Sequence, residues 1–472
     1  MKMKQFVQAI FCPPNDKIEE LNLPSRLTDE TFAMLKEMKI NRLFGWGWDS
    51  RPTTIVKTLQ LCEKYGIEYF LQLKTADEYI STPVNTKNQK PFCQLSEEEI
   101  ADLDRRFVEE IKGCTSYKAL KGIIFEDEAG YLSFDGVLHA KEVFEREFPN
   151  FEFHTNFLCY TLNELYFWAS FVSDDTVVPE EIKPFKLEGK NQITFENRYN
   201  YYGLFVDGLL SRSHFDFFSF DKYPFIDHWE KCERFMHICY LDSIAFLRTK
   251  KDEFGSAFYT YIGAGQWFAY SPRDLLESEF YLSMHLCALY GIDGFGYFPG
   301  FYPVDFVACE GYRNSDNGEG GLIDINGKPT KFYHYLKKAN EYFTRIEEDI
   351  LSSEFLGVKS YGEYYNGFTK EDIKDVQDNE VIYFGELPKF YQMETQSISV
   401  LETTNNLAVS EFAREGKKRF YLVNMSTLYT NEIKIKLPKG EFLVERMDAS
   451  IQLDETSFLT LKAGEGAYIV EQ

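Results

Sequence analysis

The chain has 472 residues, room for two or three domains or for one large barrel with a smaller companion, and 44% hydrophobic with 27% charged residues is a globular composition. Lys and Arg number 51 against 75 Asp and Glu, and a net charge of −24 with no basic patch argues against nucleic acid as a partner. Stretches of about 18 apolar residues are lacking, so no membrane partner is expected.

Nine cysteines follow no regular spacing and form no CxxC, which points to reduced thiols rather than a disulfide framework. The apolar N-terminal stretch stops at Cys12-Pro13-Pro14 without the cleavage pattern of a secretory signal, so a cytoplasmic location is expected. Cys232, His237 and Cys239 sit on a helix-like stretch without a nearby carboxylate motif, and neither a metal nor another cofactor is expected.

Eight short β-branched or aromatic runs alternate with stretches of helical period over the first 300 residues: 5–12, 40–48, 67–74, 120–127, 151–158, 215–223, 256–263 and 292–298. Between them lie helix starts such as Thr28-Asp29-Glu30-Thr31, opening a helix to about residue 39, and Ser96-Glu97-Glu98-Glu99, opening one to about 112. Eight βα units at this spacing predict a TIM barrel with some long loops. The longest, 160–197, carries Asp174-Asp175 and Pro179-Glu180-Glu181 and is expected to decorate the barrel top. After a helix from 329 to about 351 the pattern turns to alternating strands at 397–401, 407–412, 419–424, 432–437, 442–447 and 467–471, which predicts a β-sandwich. The expected division is a barrel over 1–350 and a sandwich over 351–472.

Barrel active sites lie at the C-terminal strand ends, so the polar residues closing each run are the candidates. The fourth run ends Ile123-Ile124-Phe125-Glu126-Asp127-Glu128, three carboxylates where an apolar strand meets the mouth. Crowded carboxyls raise one another's pKa, and a carboxyl protonated near neutral pH is what general-acid chemistry needs. A solvated acidic loop is the alternative. The sixth run closes on Asp221 and Tyr223, two apart and so on one face, unless Asp221 and Lys222 form a surface pair. Trp46 and Trp48 beside Asp49 form a stacking platform if they lie at the mouth, and core residues if they do not. Asn156 ends the fifth run, Tyr261 lies on the seventh with Gln266 and Trp267 after it, and Tyr297 lies on the eighth. A later loop with Glu310, Arg313, Asp316 and Glu319 is placed to fold over the pocket.

The acid at the end of the fourth run, Asp221-Lys222-Tyr223-Pro224 on the sixth and the trailing sandwich resemble the barrel-type glycoside hydrolases, such as the family 42 β-galactosidases and their relatives. The segment from Ser271-Pro272-Arg273-Asp274-Leu275 to Gly294-Phe295-Gly296-Tyr297-Phe298 is similar to their penultimate helix and final strand. The loop Gly321-Leu322-Ile323-Asp324-Ile325-Asn326-Gly327-Lys328-Pro329-Thr330 resembles the one entering their last barrel helix. The resemblance implies a carbohydrate substrate and an acid/base at Glu128, where Asp127 replaces the family's Asn. The family's nucleophilic Glu on the seventh strand has no counterpart between Tyr259 and Trp267. An Asp-Glu pair is also similar to that of the substrate-assisted N-acetylhexosaminidases, in which Glu128 would protonate the leaving oxygen and Asp127 orient an acetamido group. If a carboxylate attacks directly, Asp221 is the candidate. A non-catalytic carbohydrate-binding barrel and a metal-dependent hydrolase are the other readings, and a homo-oligomer is left open.

Overall fold

The computed structural model describes residues 5–19, 22–45, 52–84, 90–159, 198–225, 240–265, 275–302, 320–362, 364–365, 368–369 and 387–472. Eight strands close a parallel barrel in sequence order: β1 (Val7–Phe11), β2 (Arg42–Phe44), β3 (Glu68–Gln72), β4 (Leu120–Asp127), β5 (Glu152–Leu158), β6 (Phe217–Asp221), β7 (Ala257–Gly263) and β8 (Gly294–Phe298). Between and after them come α1 (Asp29–Glu37), α2 (Pro52–Tyr65), α3 (Ala76–Tyr79), α4 (Glu97–Lys112), α5 (Phe134–Glu147), α6 (Arg198–Leu210), α7 (Asp242–Phe254), α8 (Glu277–Leu289) and α9 (Lys331–Ser352).

Local chemistry sets the helix ends where the sequence predicts them. The Thr28 hydroxyl accepts from the Thr31 amide ahead of α1, and Thr330 caps α9. At α4 the Ser96 hydroxyl accepts from the Glu99 amide while the Glu99 carboxylate accepts from the Ser96 amide, a reciprocal capping box.

Alternation along each strand sorts the barrel residues into two cores. Phe44, Phe70, Ile124, Phe217, Tyr259 and Tyr261 point inward and fill the barrel. Leu43, Ile123, Phe153, Phe218, Phe258 and Phe295 point outward beneath the helices. Much of the large aromatic content is spent on these two layers.

The remaining strands are β9 (Glu354–Tyr361), β10 (Tyr364–Tyr365), β11 (Phe368–Thr369), β12 (Ser399–Thr403), β13 (Leu407–Arg414), β14 (Lys417–Asn424), β15 (Asn431–Lys436), β16 (Phe442–Glu445), β17 (Ser450–Leu453), β18 (Thr456–Leu461) and β19 (Gly466–Glu471). A six-stranded antiparallel sheet, β17-β16-β19-β14-β13-β9, faces the three-stranded β12-β15-β18 across a core of Leu407, Leu422, Ile433, Leu459 and Ile469. The predicted sandwich is therefore present, with three strands the sequence reading omits. In β18 the inward positions are Ser457, Leu459 and Leu461 while Phe458, 73% exposed, sits on the outward phase, so its apolar count masks the alternation. β17 is a four-residue edge, and β9 is interrupted by Gly357 at φ +150° beside a register shift.

The other face of the six-stranded sheet packs on α8 and α9. Ala408, Phe412, Tyr421 and Tyr468 belong to the same buried cluster as the barrel's outer layer. At this junction the Asp349 carboxylate of α9 accepts from Arg414, Arg419 and the Tyr468 hydroxyl, at 2.9, 2.9 and 2.8 Å. His285 of α8 meets the Tyr421 hydroxyl at 2.7 Å through Nδ1.

Candidate active site

The barrel interior changes from charged and aromatic at its base to carboxylate at its mouth. At the base the Arg42 guanidinium lies over the Phe70 and Phe217 rings, 4.5 and 4.8 Å from their centroids, and pairs with Glu68 at 2.8 Å. Above it the His154 imidazole stacks on Phe217, Phe44 and Tyr259 at 4.6, 5.0 and 5.5 Å. Burial, reinforced by the Arg42 charge below, pushes this imidazole well below its ordinary pKa, so it is neutral.

Two backbone irregularities then shape the mouth. A register shift at Phe125 pairs Ile124 with His154 but Asp127 with Asn156, so the bulge, and not simple alternation, sets Asp127 beside the inward Asn156. The next residue, Glu128, has φ +54°, a left-handed conformation that costs a side-chain-bearing residue about 1 kcal/mol. Its amide is held there by the Asn156 carbonyl at 2.9 Å. Strain of this kind persists where the surroundings over-determine it, and it gathers at working sites.

The result is a cluster of carboxyls around one amide. Asn156 Nδ2 donates to Asp127 Oδ1 and Asp221 Oδ1, both at 2.8 Å. The Glu128 and Asp221 carboxyls hydrogen-bond to each other, and Tyr223 bonds to Asp221 as well. Both members of the pair are densely surrounded yet partly open at the mouth. Burial raises the Glu128 pKa well above the carboxylate range, the charges of Asp221 and Asp127 raise it further, and Lys222 opposes them weakly. Burial also raises Asp221, and bonds from Glu128, Asn156 and Tyr223 together with the Lys222 charge limit that rise without cancelling it. Burial and like charge act more strongly on Glu128 than on Asp221, which suits Glu128 to hold a proton shared by the pair, as a general acid does beside a second carboxyl.

Tyr261, paired in register with Asp221, lies inward with its ring edge on Phe11 at 5.7 Å. Its buried hydroxyl meets no partner of hydrogen-bond geometry among the described residues. The inward positions of β7 are thus Tyr259 and Tyr261, and its described residues 257–263 include no carboxylate.

Asp127, Glu128, Asn156, Asp221, Tyr223 and Tyr261 are brought together as the sequence suggests. Tyr297 is not. It is fully buried on the outer face of β8, where its hydroxyl donates to Gln8 at 2.6 Å beneath α9, because alternation puts the neighbouring Gly296 and Phe298 on the inner face. It belongs to the scaffold. Glu126 pairs with Thr155 through its backbone. Trp46, Trp48, Asp49, Gln266, Trp267 and the loop with Glu310, Arg313, Asp316 and Glu319 lie outside the described residues, as do 160–197 and Cys232, His237 and Cys239.

Ser219, His154 and Tyr259 are the polar residues that the sequence reading passes over. Each stands two positions before a named site residue, Asp221, Asn156 and Tyr261, and period two alone places them one layer below the mouth. Among the described residues no group of three or more His, Cys, Asp or Glu side chains is arranged to hold a metal ion.

No protein-family model matches the sequence, and no curated protein matches it. Solved structures do match its fold. A family 39 glycoside hydrolase from the gut symbiont Bacteroides cellulosilyticus WH2 aligns with 99% of this chain and 81% of its own, at a TM-score of 0.53 and 11% identity. A catalytic mutant of a family 42 β-galactosidase from G. stearothermophilus aligns with 100% of this chain and 98% of its own, at 0.53 and 9% identity. The chain is similar to both in architecture, a closed eight-stranded parallel barrel followed by antiparallel sheets.

Proposed function

We propose that the chain is a glycoside hydrolase of terminal, β-linked sugars such as galactosides, with Glu128 as general acid/base and Asp221 as the carboxylate that acts with it. The observation that carries this reading is the Glu128–Asp221 pair at the barrel mouth, in which burial and two neighbouring carboxyls push the Glu128 pKa well above the carboxylate range. A protonated carboxyl can give its proton to a departing glycosidic oxygen, and the ionised partner can stabilise or attack the anomeric carbon. Retaining pairs stand about 5–5.5 Å apart and inverting pairs about 6.5–9.5 Å, so chemistry that uses both carboxyls requires them to separate from their direct hydrogen bond. The barrel-and-sandwich likeness to family 39 and family 42 enzymes agrees with this reading at the level of fold.

Glu128→Gln should slow hydrolysis of substrates with poor leaving groups by about 10²–10⁴-fold and spare activated aryl glycosides. Equal losses on both substrate classes, or no loss, would take Glu128 out of the acid role. A 2-fluoro glycoside with a good leaving group should form a covalent adduct on Asp221.

The tyrosines at the inward positions of β7 favour a second reading, substrate assistance, because that chemistry needs no carboxylate there. Asp127, held by Asn156 at 2.8 Å, would then orient an acetamido group. A panel of aryl galactosides and N-acetylhexosaminides separates the two, since only the second makes Asp127→Asn cripple acetamido substrates selectively. Sugar binding without any turnover would favour a carbohydrate-binding barrel instead.

A further inference from the structure

Beneath the carboxyl pair lies a buried network of hydrogen bonds whose upper directions are forced one by one. Two carboxyl oxygens face one end of the Asn156 amide, at 2.8 Å each, so that end is the NH₂ and the amide oxygen points down. There it meets Ser219 Oγ at 2.6 Å, and an amide oxygen only accepts, so Ser219 spends its single proton on it. Ser219 Oγ also lies 3.0 Å from His154 Nε2. Having no proton left, the hydroxyl accepts from this layer, which holds the His154 imidazole and the Tyr259 hydroxyl, itself 3.1 Å from the same Nε2. Ser219 and His154 are fully buried and Asn156 nearly so, and none of the three can reach a substrate except through the layer above.

We infer that Ser219, backed by His154 and Tyr259, is a positioning residue: its donated proton locks the Asn156 amide so that both amide protons go to Asp127 and Asp221, which leaves the proton of the carboxyl pair on Glu128. The inference rests on the reading of that pair as acid and partner. It adds the reason why the acid is Glu128 and not the equally surrounded Asp221. With the hydroxyl gone, the amide can turn over, Asp221 loses a donor and its ionised form with it, and the proton moves across. Among the described residues, the other polar groups whose charge or hydrogen bonds reach the pair are Asp127 of β4, Tyr202 of α6, Lys222 and Tyr223 just after β6, and Tyr261 of β7.

The test is an infrared measurement of the full chain that needs no substrate. The protonated-carboxyl C=O band at pH 7 that is absent from Glu128→Gln, and that shifts with ¹³C-glutamate labelling, reports where the proton sits. In Ser219→Ala that band should weaken and one that shifts with ¹³C-aspartate should replace it, while Ser219→Thr, which keeps the hydroxyl, should restore the original. Ser219→Cys, with a weaker donor of similar size, should be intermediate and carries the test should the alanine variant not fold. On glycosides with poor leaving groups Ser219→Ala should lower kcat about tenfold at unchanged KM, the size of one lost hydrogen bond. A Glu128 band of unchanged intensity and pH titration in Ser219→Ala would overturn the inference, even if the chain hydrolyses glycosides. Absence of turnover on every glycoside, with the band moving as described, would overturn the functional reading and leave the donor chain standing.

Discussion

Glu128 combines a left-handed backbone with a carboxyl raised well above its ordinary range. Both features cost stability, so the residue is kept for what it does, not for what it holds together. A folded-state pKa above the unfolded value near 4.3 means that the native state holds the extra proton. The associated stability is fully present below about pH 4 and is lost as pH rises through the folded value. Glu128→Gly should therefore melt at a higher temperature than the parent, by relief of about 1 kcal/mol of backbone strain, and its advantage should grow from pH 5 to pH 8, with glycoside turnover lost if the proposed acid role holds. Thermal melts of the two proteins across that range check it, and a variant that loses stability at pH 8 would contradict the account.

At the scale of elements, α9 is the joint between barrel and sandwich. Asp349, near its C-terminal end, gathers Arg414, Arg419 and Tyr468 from three sandwich strands. Burial raises the Asp349 carboxyl, but those partners more than offset it and hold it below the usual range. That contribution is present above the unfolded pKa and is lost as pH falls through the folded one. The Arg419 side chain is only 7% exposed, so removing its partner strands a buried cation. Asp349→Ala should cost about 3 kcal/mol, seen as a lower urea midpoint at unchanged slope, with the mouth carboxyls untouched. A loss below about 0.5 kcal/mol would mean that the cluster is solvated in solution, as surface ion pairs are.

For the whole molecule, one buried cluster runs from the barrel's outer layer through α8 and α9 into the six-stranded sheet. Sharing a core couples the two units, so the chain should unfold in a single calorimetric transition with matching calorimetric and van't Hoff enthalpies. Two resolved transitions would show that 1–350 and 351–472 are separately stable.

Period-two and period-3.6 patterning made the architecture legible in the sequence, because apolar alternation, capping boxes and turn residues act over a few neighbours. Thr28, Ser96 and Thr330 cap the helices where their local sequence places them, and eight apolar runs become eight barrel strands. The carboxylates at the ends of the fourth and sixth runs were visible for the same reason, since apolar strands in a barrel end at the mouth. Their roles were not. The bulge at Phe125 that brings Asp127 opposite Asn156, the left-handed turn at Glu128 and the hydrogen bonds linking Asn156, Ser219 and His154 join residues up to 65 positions apart. Tyr297 shows the same limit from the other side, for a strand's pattern does not say which of its two faces looks into the barrel. Sequence alone determined the elements and their order, through short-range sterics and burial. Which carboxyl holds the proton was decided only by the closed barrel, which desolvates like charges from separate strands against one another and ties them to a single amide.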